Sequence, residues 1–120
     1  MRLKIVGLRD PGVLPKERIV LEAVQHGDIG SYAVFCTRLL SSGEVSSIVE
    51  RTFWFPDQKV EAGDLVVLYT KQGPQHVRQN EDKTTTRFFY WNLDAPLWNG
   101  KVVPVVANLR DWETVSEPSA

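Results

Sequence analysis

Leu65-Val66-Val67-Leu68-Tyr69 is a run of five apolar residues that follows directly on the turn signal Ala62-Gly63-Asp64. It is too short for an amphipathic surface helix, rich in β-branched residues, and apolar on alternate positions of both parities. That pattern reads as a strand covered on both faces, at the centre of a sheet. Phe88-Phe89-Tyr90-Trp91 reads the same way. Working outward, seven segments have strand character: 2–8, 17–25, 31–39, 45–55, 64–70, 87–93 and 102–109. In 31–39, Tyr32, Val34 and Cys36 share one face, with Ala33, Phe35, Thr37 and Leu39 on the other. In 45–55, Val45, Val49, Phe53 and Phe55 share a face, opposed by Ile48, Glu50, Thr52 and Trp54.

The punctuation between the segments is that of a β protein. Asp10-Pro11-Gly12, Gly27-Asp28-Ile29-Gly30, Ser41-Ser42-Gly43 and Pro56-Asp57 fall at the intervals of a sandwich or barrel. Only 16–25 offers a rival helix, through Ile19, Val20, Leu21, Ala23 and Val24, and the strand reading is preferred there. Pro104 cannot donate to a ladder, so its segment belongs at a sheet edge or carries a bulge.

The chain has 120 residues, 42% hydrophobic and 24% charged, which predicts one globular domain over 1–113 with a polar tail over 114–120. The formal net charge is -1, so no bulk field attracts nucleic acid or an anionic membrane, although a local basic patch is compatible with it. Cys36 is the single cysteine and excludes an intrachain disulfide, which suits a reducing compartment. The first residues lack the apolar core of a signal peptide, and no apolar run approaches the ~20 residues that span a bilayer. The expectation is a cytoplasmic protein with no membrane partner.

The order Phe53-Trp54-Phe55-Pro56-Asp57, Glu61-Ala62-Gly63-Asp64, Leu65–Tyr69, Tyr90-Trp91 and Leu97-Trp98-Asn99-Gly100 before a Val-rich last strand resembles the lamin-tail domain over roughly 17–110. Lys101 stands where that family usually has an acidic residue. The resemblance implies an immunoglobulin-like β-sandwich of about seven strands and a non-catalytic interaction module. A fold of this kind serves many functions, so the analogy reaches the scaffold and not the partner.

No catalytic constellation stands out. Cys36 sits in an alternating strand as a core thiol would, and no spacing ties His26 or His76 to it. Phosphate loops, dinucleotide fingerprints and nucleophile elbows are missing from the sequence, and two histidines with Asp28 and Asp64 lack metal-ligand spacing. Neither a catalytic residue, a metal nor a cofactor is expected. The sixteen residues 71–86 hold almost nothing apolar and read as either a surface insertion or a recognition loop. Candidate binding residues are His76, Arg78, Lys83 and Arg87 from this region, with Trp54 and Trp98 as exposed aromatics. The leading expectation is a protein-interaction or assembly module that binds a protein partner or itself, a homodimer included, through a free sheet edge. The alternatives are a ligand or nucleic-acid binder using the 71–87 region and the tryptophans, and a small enzyme on a β scaffold.

Overall fold

The computed structural model describes residues 1–117. Of the tail expected over 114–120, residues 118–120, Pro118 among them, lie outside the described residues. The chain is all-β. Its strands are β1 (Leu3–Arg9), β2 (Arg18–Ala23), β3 (Gly27–Asp28), β4 (Tyr32–Leu39), β5 (Val45–Trp54), β6 (Lys59–Val60), β7 (Leu65–Tyr69), β8 (His76–Gln79), β9 (Thr85–Tyr90) and β10 (Val102–Asn108). A five-stranded sheet runs β1-β2-β7-β9-β8, a three-stranded sheet runs β10-β4-β5, and β3 pairs with β6 in a small third sheet. All pairs are antiparallel except β7 with β9.

The seven expected strands are all present, and 16–25 contributes β2 and no helix. The five-residue apolar run is the middle strand of the larger sheet. Val66 and Leu68 enter the core, and Val67 is buried on the other face among its neighbours. The two large sheets share one core. Ile19, Leu21, Val66, Leu68 and Phe89 come from the five-stranded sheet and Tyr32, Val34 and Cys36 from the three-stranded sheet, with Phe55 and Trp98 between them.

β10 is an edge strand, as Pro104 requires. Its register with β4 passes through Pro104 without a shift. Leu39 N–H donates to Lys101 O and Leu109 N–H to Ser31 O. Antiparallel alternation from those two bonds points the backbone of Val103 and Val105 at β4 and that of Pro104 outward. The missing N–H therefore falls where no ladder bond is needed. The reading of 45–55 needs correction in its first half. Register shifts near Thr37 break the alternation, and Val45 and Val49 are exposed, while Phe53 and Phe55 keep to the core side. The region 71–86 is also corrected: it holds β8, a four-residue edge strand in a hairpin with β9.

One polar side chain organises this core. Glu17, immediately before β2, is fully buried. Its carboxylate accepts from Thr70 Oγ1–H at 2.5 Å, Leu97 N–H at 2.8 Å, Trp98 N–H at 3.3 Å and Gly12 N–H at 2.7 Å. Its backbone is used as well: Glu17 N–H donates to Val13 O and Thr70 N–H donates to Glu17 O. Glu17 thus joins the β1–β2 turn, the end of β7 and the long segment before β10. Glu17→Ala leaves three backbone N–H groups and a hydroxyl without their acceptor, and it should lower the unfolding free energy by about 3 kcal/mol or more. Glu17→Gln keeps one acceptor oxygen but turns an NH2 toward amide donors, so urea denaturation should show a smaller loss.

Candidate functional site

Alternation places one set of side chains on the outer face of the five-stranded sheet. Arg18 and Val20 of β2 stand opposite Tyr69 and Val67 of β7, Tyr69 is opposite Tyr90 of β9, and Phe88 is opposite His76 of β8. The rings stack across the strands. Tyr69 and Tyr90 lie 5.3 Å apart at 9°, and His76 and Phe88 lie 4.5 Å apart at 12°. Those separations match the spacing between strands, so the rings stand upright on the sheet and show their edges to solvent. Lys71 Nζ sits 4.8 Å from the Tyr69 centroid, Arg18 Cζ 5.9 Å from it, and Arg78 Cζ 5.2 Å from Phe88. Gly73 packs on the Tyr90 ring, where a Cβ would collide with it. Burial and the neighbouring Tyr69 push the Tyr90 phenol up. The faces of Tyr69, Phe88 and Tyr90 are covered by other rings, cations or backbone, and the exposed His76 ends the strip at the sheet edge.

β1 extends this face. A bulge between Ile5 and Gly7 sets Arg9 directly opposite Arg18, and Lys4 opposite Glu22. The Arg9 guanidinium folds back into the space that a Cβ on Gly7 would fill. Like charges opposite one another are unfavourable. Of these cations, Arg18 and Lys4 have carboxylates in reach among the described residues, Asp10 at 3.1 Å and Glu22 at 3.5 Å.

The outer face of the three-stranded sheet is different in kind. Ala33, Phe35, Trp54, Val103, Val105 and Ala107 lie on it, and the segment after β10 crosses it so that Trp112 meets Trp54 edge-on at 5.2 Å. Trp54 is 42% exposed, and its Nε1–H donates to Gly30 O at 2.6 Å. β5 forms the free edge beside this face, with Ile48 77% exposed and Val45 and Val49 also open to solvent.

The residues expected to bind do not form one site. His76 and Arg78 share the aromatic face. Lys83 lies at the tip of the β8–β9 hairpin with φ 71°. Arg87 points the other way, its Nη1–H donating to Thr85 Oγ1 at 2.7 Å and lying 3.9 Å from Asp64. Trp54 is on the opposite sheet. Trp98 is corrected outright as an exposed aromatic: it is 2% exposed and packs in the core against Trp91. Lys71, within the expected 71–87 region, does share the aromatic face, and Tyr69, Phe88, Tyr90, Arg9 and Arg18 join it there unannounced by the sequence reading. The signal for two of them was Phe88-x-Tyr90, whose period of two separates outward rings from the inward Phe89.

Cys36 is buried opposite Pro104, and burial pushes its thiol up, followed by the charge of Glu50. His26 borders a cavity of about 210 Å³ with Asp28, Lys59 and Glu61. The Asp28 carboxylate there is already bonded to the Gly30 and Gln58 N–H groups. Among the described residues no three histidine, cysteine or acidic side chains cluster as metal ligands would, and no helix is long and apolar enough to cross a membrane.

Asp64 fixes the turn before β7 to the start of β9. Burial works to raise its pKa, but the N–H groups of Glu61 and Thr85 and the Arg87 guanidinium outweigh that and hold it below the ordinary carboxylate range. The unfolded chain therefore takes up this proton first on acidification. The stabilisation is full above the ordinary carboxylate range and is lost as pH falls through the lower folded value. Asp64→Asn should lower stability at neutral pH and flatten the acid limb of a stability–pH curve measured by urea unfolding. No protein-family model matches the chain, and no curated protein or solved structure matches it either, so the reading of its function rests on its own geometry.

Proposed function

We propose that this chain is a non-catalytic interaction module, built as an immunoglobulin-like sandwich of the lamin-tail type that its sequence resembles, and that it takes up an extended segment of another polypeptide along β5. The supporting observation is the contrast between β5 and the other three edges of the two large sheets. β1 carries a bulge, β8 has only four residues and polar side chains, and β10 has Pro104 facing out. Each of these is a known guard against strand addition. β5 has ten residues; its own register shifts, and the exposed Val45, Ile48 and Val49, lie in its first half, which leaves Arg51–Trp54 as a regular stretch of open edge.

The usable part of the edge is its second half. Phe55 N–H donates to Tyr32 O, so alternation turns the backbone of Phe53 and Arg51 to β4 and that of Thr52 and Trp54 to the open side. An added strand gains main-chain bonds there and an aromatic contact at Trp54, with the half-buried Phe35 on the same face.

Thr52→Pro would give β5 the guard that Pro104 gives β10, removing an outward N–H without breaking the β4 ladder. Peptides selected from a displayed random library on the wild-type protein should bind the variant at least about tenfold more weakly, the loss of more than one main-chain bond. Its melting temperature should stay within a few degrees. Undiminished peptide binding by a folded Thr52→Pro protein would overturn the reading.

A further inference from the structure

We propose that copies of this chain also associate head to tail, the basic outer face of the five-stranded sheet of one copy seating on the acidic segment 111–117, which Trp112 ties to the outer face of the next copy's three-stranded sheet. The inference rests on the assembly reading but uses a different surface from the β5 edge.

The case begins with charge that the monomer does not balance. Lys4, Arg9, Arg18, Lys71 and Arg78 stand on the aromatic face; Glu22 and Asp10 pair with two of them, and Glu81 and Asp82 border the same hollow as Arg78, so the unbalanced charge gathers at the Arg9, Arg18 and Lys71 end around Tyr69. Arg9, Lys71 and Arg78 have no carboxylate partner among the ion pairs of the described residues. Arg9 is moreover held opposite Arg18 in the β1–β2 register. The whole chain has a net charge of -1, so the positive end of this face, at Arg9, Arg18 and Lys71, arises by segregation. The exposed ring edges of Tyr69, Phe88 and Tyr90 add to it, because the rim of an aromatic ring is its positive part.

The complementary charge is found on the other side of the molecule. Asp111, Glu113 and Glu117 bring three carboxylates within seven residues, all exposed and none in an ion pair among the described residues. Arg110 is the one cation beside them. Trp112 anchors this segment against Trp54 while remaining 60% exposed, and Val115 is 75% exposed. The segment thus offers acidic groups interleaved with apolar ones, and the basic face offers cations around an apolar and aromatic strip. A nucleic-acid backbone would match the cations but not the apolar groups between them.

The two surfaces belong to the outward sides of opposite sheets, so one copy can engage two neighbours. Such a contact is heterologous and propagates into an open chain or closes into a ring.

A charge-swap experiment in sedimentation velocity tests this. Wild-type protein should associate at low ionic strength and dissociate as salt shortens the range of the attraction. Arg9→Glu/Arg78→Glu makes the face acidic, and Asp111→Lys/Glu113→Lys makes the segment basic. Each variant alone should associate at least about tenfold more weakly than wild type, because like charges now meet. Mixed together, the two variants should form a mixed assembly, since the acidic face of one meets the basic segment of the other. Arg9→Glu should meanwhile raise the melting temperature by relieving the contact with Arg18, so a loss of association cannot be ascribed to unfolding. A wild-type protein that stays monomeric at low salt, variants that associate like wild type, or a mixture that remains monomeric would each overturn the proposal. Thr52 stands beside Trp54, but Thr52→Pro changes no charged group of either surface and should associate head to tail as wild type does, which separates failure of this contact from failure of the β5 reading.

Discussion

A carboxylate removed from water is tolerable only when its oxygens are fully engaged, and Glu17 meets that condition with four donors from three separate parts of the chain. Two of those donors are the N–H groups of Leu97 and Trp98. Binding them fixes a segment that has no strand of its own and thereby sets the Trp98 indole between the sheets. Thr70 does the same for the end of β7, and Gly12 for the turn that returns β1 into β2. The apolar core could be assembled from many residues of suitable size, but its boundary at this end is set by directional bonds to one side chain. The aromatic face stands on the same strands, because Tyr69 and Arg18 are the immediate neighbours of Thr70 and Glu17 in sequence.

The sheets were readable wherever local pattern and tertiary environment agree. The apolar run 65–69, the alternation of 31–39 and the outward-facing Pro104 all state their surroundings in their own residue types. β8 was not readable, because His76–Gln79 is short and polar and acquires strand geometry only by pairing with β9. β3 and β6, two residues each, likewise exist through their partner. The fate of Trp98 depended on Glu17, some eighty positions earlier, and nothing near Trp98 announces that bond. Arg87 followed a simpler rule that was overlooked: it lies between the outward Thr86 and Phe88 and so must point inward. The same parity would have separated Phe88 and Tyr90 from Phe89.

The two outward faces differ because their flanking sequence differs. On the larger sheet, short outward side chains at Val20 and Val67 give way to rings and cations at one end. On the smaller sheet, Ala33 and Ala107 leave a shallow apolar floor over which Trp54 and Trp112 fold.

The reach of Glu17 also bears on how the chain can be made. The side chain emerges early in synthesis, whereas the amides of Leu97 and Trp98 lie 80 and 81 residues further on. Until they leave the ribosome, collapse of the first half would bury a carboxylate that lacks half of its donors. β7 is in the same position, since its parallel partner β9 also arrives late. Vectorial folding from the N-terminus is thus disfavoured, and the domain should assemble cooperatively once most of it has been translated.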